Sequence, residues 1–404
     1  MPETFSEQRP QTWPVEAELL FLTARVRMTA EVESRIRAAL REEIDWIYLI
    51  QLSMQHETTA LLYWHLQRIC PELVPEGILE PLAARFQSQT AEVQYRAQEL
   101  VRILASLDQE GILAVGYKGP ILAQALYGNV ALREFSRFSD LDIVVGEQEL
   151  PKAKSVILGH GYEEHSQTDR EWIFRERTGG RTLELQWHFT THLCRVPDDP
   201  GRFLRRLEMV PFAETTVRSL PLEVYFLVLC LHATKHKWRK AKLICDIAEI
   251  LASPEVDWDH VVREANVLGI RRILSLGILL SEDPLGVVAP PALVRGLKID
   301  RVARALAAQC REALLKEPDD QWRFHADIRF MLKVRERRYD EVKLFFRDWL
   351  WPETMPDEED RRFASIPQSL SVLYYLVRPV RLFLMEMTDG RNSGARCVPA
   401  SPPK

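Results

Sequence analysis

The chain has 404 residues, 46% of them hydrophobic, and its 53 Lys and Arg against 58 Asp and Glu leave a formal net charge of −5. That length exceeds the roughly 250–300 residues at which single cores stop growing, which predicts two or three lobes. The near-neutral balance gives no general pull toward nucleic acid or an acidic membrane, so any polyanion must be held locally.

Cys70, Cys194, Cys230, Cys245, Cys310 and Cys397 are scattered without CxxC or CxH spacing, in a chain too large to need covalent staples. They read as reduced thiols of a cytoplasmic protein. The opening "MPETFSEQRPQTWP" has no basic start followed by an apolar core, so no secretory signal is read there. No uninterrupted apolar run approaches the ~18–20 residues of a bilayer span.

From about Trp13 to Leu107 apolar residues recur three and four apart, which predicts helices, with Pro71, Pro75 and Pro81 punctuating one connection. A helix through "QSQTAEVQYRAQELVRILASLDQEG" should stop at Gly111 as its C′ residue. The character changes at Ile112: "ILAVGYKG" reads as a short apolar strand and "PILAQALYG" as a helix with Pro120 in its first turn and Gly128 at its end. "DLDIVV" follows as a second strand. After a helix at about Leu150–Gly159, "REWIFRE" and "RTLELQWHF" flank a Gly179-Gly180 hairpin signal, giving an α/β segment with mixed strand directions.

Helices return near Pro221, with one pattern running through "PLEVYFLVLCLHATKHKWRKAKLICDIAEILAS" and another following Pro254. "LGVVAPPALVRGL" reads as a break, after which a long charged helix is predicted through about Leu314–Phe346. "WPETMPDEEDRR" reads as a polar linker, and "SGARCVPASPPK" as a disordered tail. "SLSVLYYLVRPVRLFLMEM" is predicted to dock onto the body as a closing helix; with few basic residues, it is not expected to contact a membrane.

Side chains alternate along a strand, so Asp140 and Asp142 project to one side while Leu141 and Ile143 go to the other. Unpaired carboxylates at that spacing repel and raise each other's pKa, a cost relieved by water or a cation. Oxygen ligands of this kind suit Mg²⁺. In "TLELQWHF" the same alternation puts Leu183, Leu185, Trp187 and Phe189 on a buried face and Thr182, Glu184, Gln186 and His188 on the other. If the two strands pair, Glu184 becomes a third carboxylate. Three carboxylates are able to hold two metals about 3.5–4 Å apart for an in-line displacement at phosphorus.

Gly119 lets backbone approach a ligand, and a helix starting at Pro120 aims unpaired N–H groups at a phosphate. Lys118 adds a point charge, and Ser139, Arg133 and Arg137 stand within reach of further phosphate oxygens. The plainer readings stay open: surface carboxylates, a surface lysine, solvated loop arginines, and Glu184 paired with Arg181. His232, Lys235 and His236 share one helical face, which would line a cleft; two histidines four apart also suit zinc, or a structural role. Asp246 is read as orienting a basic side chain.

Strand, Lys-Gly turn, helix, Asp-x-Asp strand and later acidic strand together resemble the nucleotidyltransferase fold of the polymerase-β type. In detail the chain resembles the bacterial family of uncharacterised nucleotidyltransferases, through "IDWIYLIQLSMQHETTALLYWHLQ", "LDQEGILAVGYKGPILAQALYG", "SDLDIVV", "LELQWHF", "LHATKHKWRKAKLICDIAEIL" and "VDWDHVVREANVLGIRRILSLGILL". Two positions depart from the usual pattern: Tyr117 stands where the turn has Leu, and Gln186 where the acidic strand has His.

The resemblance implies an α+β fold: a polymerase-β-like domain with a mixed sheet at 111–215, between helical lobes at 1–110 and 216–388, with the tail at 389–404. It implies Asp140, Asp142 and Glu184 as catalytic metal ligands, and Lys118, Gly119, Ser139, Arg137, Lys235 and His236 as nucleotide-binding residues. The implied reaction is Mg²⁺-dependent, with two metals and Mn²⁺ as a possible substitute. A nucleotidyl group from an NTP, with ATP as the expected donor, would pass to a hydroxyl or phosphate of a small molecule or peptide in natural-product or peptide modification, releasing pyrophosphate. Long nucleic acid is not an expected partner. Two rivals are γ-phosphoryl transfer on the same fold and a non-catalytic module that binds a peptide or protein.

Overall fold

The computed structural model describes residues 13–134, 141–168, 170–189, 199–316 and 324–336, together with 363, 364, 377 and 381. The chain up to Val334 forms one compact unit and residues 335–404 form a second. The first unit opens with helices α1 (Val15–Thr23), α2 (Ala30–Ala39), α3 (Trp46–Gln55), α4 (Thr59–Ile69) and the 34-residue α5 (Glu76–Gln109). Thr29 and Asp45 cap α2 and α3 by accepting the N–H groups of Val32 and Tyr48, which divides the helical periodicity where the sequence changes from polar to apolar. Pro81 lies inside α5, not in the connection before it, because that helix starts at Glu76 after Pro75. Gly111, at φ +74, closes α5: its N–H reaches Asp108 and that of Ile112 reaches Leu107, the paired bonds of a Schellman stop.

Past that stop come β1 (Ala114–Gly116), α6 (Gly119–Tyr127), β2 (Leu141–Val145), α7 (Leu150–Gly159), β3 (Tyr162–Gln167), β4 (Glu171–Glu176) and β5 (Thr182–Gln186). They build a mixed five-stranded sheet in the order β1-β2-β5-β4-β3, in which β2 and β5 run parallel and the other pairs antiparallel. One face of this sheet packs Leu141, Ile143, Val145, Leu183 and Leu185 against Leu100, Ile103 and Leu107 of α5. Val144 and Val115 point the other way, into the core shared with the later helices.

After the sheet come α8 (Asp199–Leu204) and a hairpin of β6 (Glu208–Phe212) and β7 (Thr215–Ser219). The remaining helices are α9 (Leu222–Lys235), α10 (Ala241–Leu251), α11 (Trp258–Leu268), α12 (Arg271–Leu285), α13 (Pro291–Leu297), α14 (Arg301–Leu314) and α15 (Phe324–Val334).

Three sequence expectations need correction here. The pattern through 221–253 is two helices, because Lys237 and Trp238 adopt left-handed backbone between α9 and α10. The expected break at "LGVVAPPALVRGL" contains α13, which Pro291 opens from its first turn. Leu314 ends a helix instead of beginning one, and α15 stops at Val334. Residues 337–346, the linker and the tail lie outside the described residues. Cys70, Cys230, Cys245 and Cys310 are buried free thiols. Among the described residues no helix is long and apolar enough to cross a membrane.

Candidate active site

Strand β1 runs into α6 through Tyr117 and Lys118, and the helix begins at Gly119, one residue before the predicted start. Gly119 takes φ +63, a left-handed value that costs a side-chain-bearing residue about 1 kcal/mol or more, so the abrupt strand-to-helix turn selects glycine. Pro120 follows in the first turn, where its missing N–H removes no helical bond. Because β1 and β2 are antiparallel, the N-terminus of α6 sits beside the start of β2.

Parallel pairing of β2 and β5 sets Asp142 opposite Glu184 in register. Five side chains, these two included, join there. Lys118 donates from Nζ to Asp142 Oδ1 at 2.8 Å. Gln186 donates from Nε2 to the same Oδ1 at 3.0 Å and to Glu184 Oε2 at 2.5 Å. The Tyr117 hydroxyl donates to Gln186 Oε1 at 2.8 Å.

Burial pushes the Asp142 carboxyl up to about 6, and neighbouring Glu184 adds to the rise against the opposing pull of Lys118. Burial works against the Lys118 ammonium, yet Asp142 and then Tyr117 and Glu184 more than offset it and hold the lysine charged. Two like charges thus stand side by side with the Lys118 cation against them.

Across the opening stands α9. A cavity of about 80 Å³ is lined by Tyr117, Lys118, Glu184, Gln186, His232 and Lys235 among others. Burial drives the His232 imidazole well below its ordinary pKa, and Lys118 and His236 add repulsion, so this ring is neutral at pH 7. His236, an exposed residue outside the cavity lining, packs edge-on against it, centroid to centroid 4.6 Å. Trp238 then locks the end of α9: it is fully buried and its indole N–H meets Thr234 Oγ1 at 3.2 Å. A second cavity, of about 430 Å³, lies among Arg202, Arg205, Arg206, His260 and Glu264. It is the larger of the two, but the row Phe203, Phe189, Tyr117 stands between it and the carboxylates.

The structure thus brings together Lys118, Gly119, Asp142, Glu184 and Lys235, with His236 one step removed. Arg137, Ser139 and Asp140 lie outside the described residues. Arg133 does not reach for phosphate: it is buried and grips Asp246 with both Nε and Nη2, at 2.9 and 2.8 Å. Asp246 orients a basic side chain, as its sequence setting suggested. Arg181 pairs with Glu92 and Glu176, not with Glu184. Phe189 leaves the face assigned to it, because β5 ends at Gln186 and strand alternation ends with it; the ring packs edge-on against Tyr117 at 5.1 Å.

Sequence reasoning passed over Tyr117, Gln186 and Arg170 as site residues. Gln186 was legible, since it shares the Glu184 face of β5. Arg170 gave no signal: it reaches the cavity because β4 runs antiparallel to β5, with Glu171 opposite Gln186. The two positions that depart from the usual family pattern, Tyr117 and Gln186, turn out to bond to each other.

A carboxylate pair in register thus stands beside a lysine at the head of a helix that follows a Lys-Gly turn. The family described as uncharacterised nucleotidyltransferase matches residues 42–286, and the chain belongs to it. No curated protein and no solved structure gives a significant match.

The donor set fits a divalent cation in kind. Asp142 and Glu184 offer hard oxygens side by side on paired strands. Among the described residues no group of three His, Cys, Asp or Glu is assembled, which leaves Asp140 as the third ligand inferred from sequence.

Proposed function

We propose that this chain is a magnesium-dependent nucleotidyltransferase with a polymerase-β-like fold. It moves a nucleotidyl group from an NTP, with ATP as the expected donor, to a hydroxyl or phosphate of a small molecule or peptide. Membership of the family supports nucleotidyl transfer. The observation that carries the reading is Asp142 facing Glu184 across β2 and β5, beside Lys118 at the head of α6.

Asp142 and Glu184 would hold Mg²⁺ or Mn²⁺, with Asp140 beside them. The cation, when bound, supplies Lewis-acid stabilisation of charge on the transferring phosphorus and the leaving group. The chain's own part is positioning. The first N–H groups of α6 have no helical partners and point where phosphate oxygens are favoured. Lys118 is held next to them as a persistent cation. Lys235 lines the opposite wall, and neutral His232 contributes hydrogen bonding without charge. Positioning and fixed electrostatics of this sort account for most phosphoryl-group catalysis, so no side-chain nucleophile is required.

The test is titration calorimetry with Mg-ATP on the full chain, followed by product analysis with α- and γ-labelled ATP. Magnesium-dependent binding, and pyrophosphate release with α label on an acceptor, support the reading. Label transferred only from the γ position points to the kinase-like rival, and absence of magnesium-dependent nucleotide binding to the binding-module rival.

A further inference from the structure

We propose that Gln186, held by Tyr117, is the positioning residue that draws Asp142 and Glu184 together into a single cation site. This deepens the metal-dependent reading above and rests on it. Gln186 is buried, at 6% exposure, and its one amide nitrogen meets both carboxylates. An amide nitrogen carries two hydrogens, so each carboxylate receives one. Ionised carboxylates only accept, which excludes the flipped amide and turns Oε1 toward Tyr117.

The tyrosine makes that orientation permanent. Its hydroxyl is the donor, because an amide oxygen only accepts, and its buried ring is wedged edge-on against Phe189. On Asp142 both Lys118 and Gln186 use Oδ1, so Oδ2 stays outside this network. A neutral bridge also suits the task better than a cationic one. Lysine or arginine at 186 would neutralise the carboxylates and compete with the metal, whereas an amide aligns their oxygens and leaves their charge for the ion. Partners that orient metal-binding carboxylates in this way typically matter by 10–100-fold in affinity.

The experiment measures Mn²⁺ binding to the full chain by the loss of the free-Mn²⁺ electron paramagnetic resonance signal, with α,β-methylene-ATP present. Gln186→Leu should weaken Mn²⁺ binding by about 10–100-fold. Tyr117→Phe, which keeps the ring contact with Phe189, should weaken it by about 5-fold, the effect of one ordinary hydrogen bond. The double variant should match Gln186→Leu alone, because the hydroxyl's bond is to the glutamine and phenylalanine keeps the ring face beneath Lys118.

Wild-type affinity in either single variant, or losses that add in the double, overturns the proposal while leaving the carboxylate site standing. Wild-type protein that binds no Mn²⁺ overturns both together. If Gln186→Leu does not fold, Gln186→Met serves the same comparison, and unchanged affinity in Tyr117→Phe is decisive by itself.

Discussion

Removing the Asp246 carboxylate should be among the most damaging single changes in this protein. Asp246 has no exposed surface and accepts three bonds: two from Arg133, at 2.9 and 2.8 Å, and one from the Tyr127 hydroxyl at 2.8 Å. Asp246→Ala strands a guanidinium and a hydroxyl in an apolar setting. Breaking a buried pair from one side costs about 3–5 kcal/mol, which at about 2 °C per kcal/mol for a large unit is a fall in Tm of about 6–10 °C.

Arg133→Met strands the carboxylate and should cost a similar amount. The triple variant Tyr127→Phe, Arg133→Met, Asp246→Leu leaves no orphan and should recover most of the loss, since apolar replacement of a whole buried pair is often neutral or stabilising. Urea denaturation with matched m-values, alongside thermal melts, gives the numbers. A cost below about 1 kcal/mol for Asp246→Ala, or single-variant losses that simply sum in the combination, would refute the reasoning. Tyr127 ends α6, so the cluster also secures the helix whose other end meets the carboxylates.

Asp142→Asn should abolish Mg-ATP binding in calorimetry while the melting temperature stays nearly constant; loss of the fold would instead mark the residue as structural. Gly119→Ala forces φ +63 on a side-chain-bearing residue and should cost about 1 kcal/mol in chemical denaturation, together with weaker nucleotide binding. His56 gives the pH prediction. It is fully buried, burial pushes its pKa down to about 4, and its Nδ1 accepts the Ala241 N–H. Between about pH 6.5 and 4 the unfolded chain binds the proton that the folded chain refuses, so this stability is complete above about pH 6.5 and drains away as pH falls toward 4. The loss should approach about 3 kcal/mol by pH 4, read as a falling urea midpoint whose slope His56→Gln makes shallower; an unchanged slope would contradict the assignment.

Local chemistry made the centre of the fold readable. A Lys-Gly-Pro turn leaves few choices of backbone, and strand alternation alone put Asp142, Glu184 and Gln186 on one face of the sheet once β2 and β5 paired. What escaped notice lacked local marks. The β6–β7 hairpin turns on Ala213 and Glu214, at φ 45 and 64, where a reader looks for Gly or Asn. Strand β3 is a polar edge, exposed beyond Tyr162, and shows no apolar alternation. Arg133 looked like a loop arginine because its partner lies 113 residues away. The Tyr117–Gln186 bond likewise crosses 69 residues, a distance no spacing rule covers.

The left-handed corner at Lys237 and Trp238 bears on how this enzyme would meet its substrate. Because the indole plugs the end of α9, the conformational entropy of that bend, about 1–2 kcal/mol per residue, is lost once, during folding. On the proposed reading, the backbone that carries His232 and Lys235 at the cavity would need no rearrangement when a ligand arrives, so affinity would not be eroded by ordering it on every encounter.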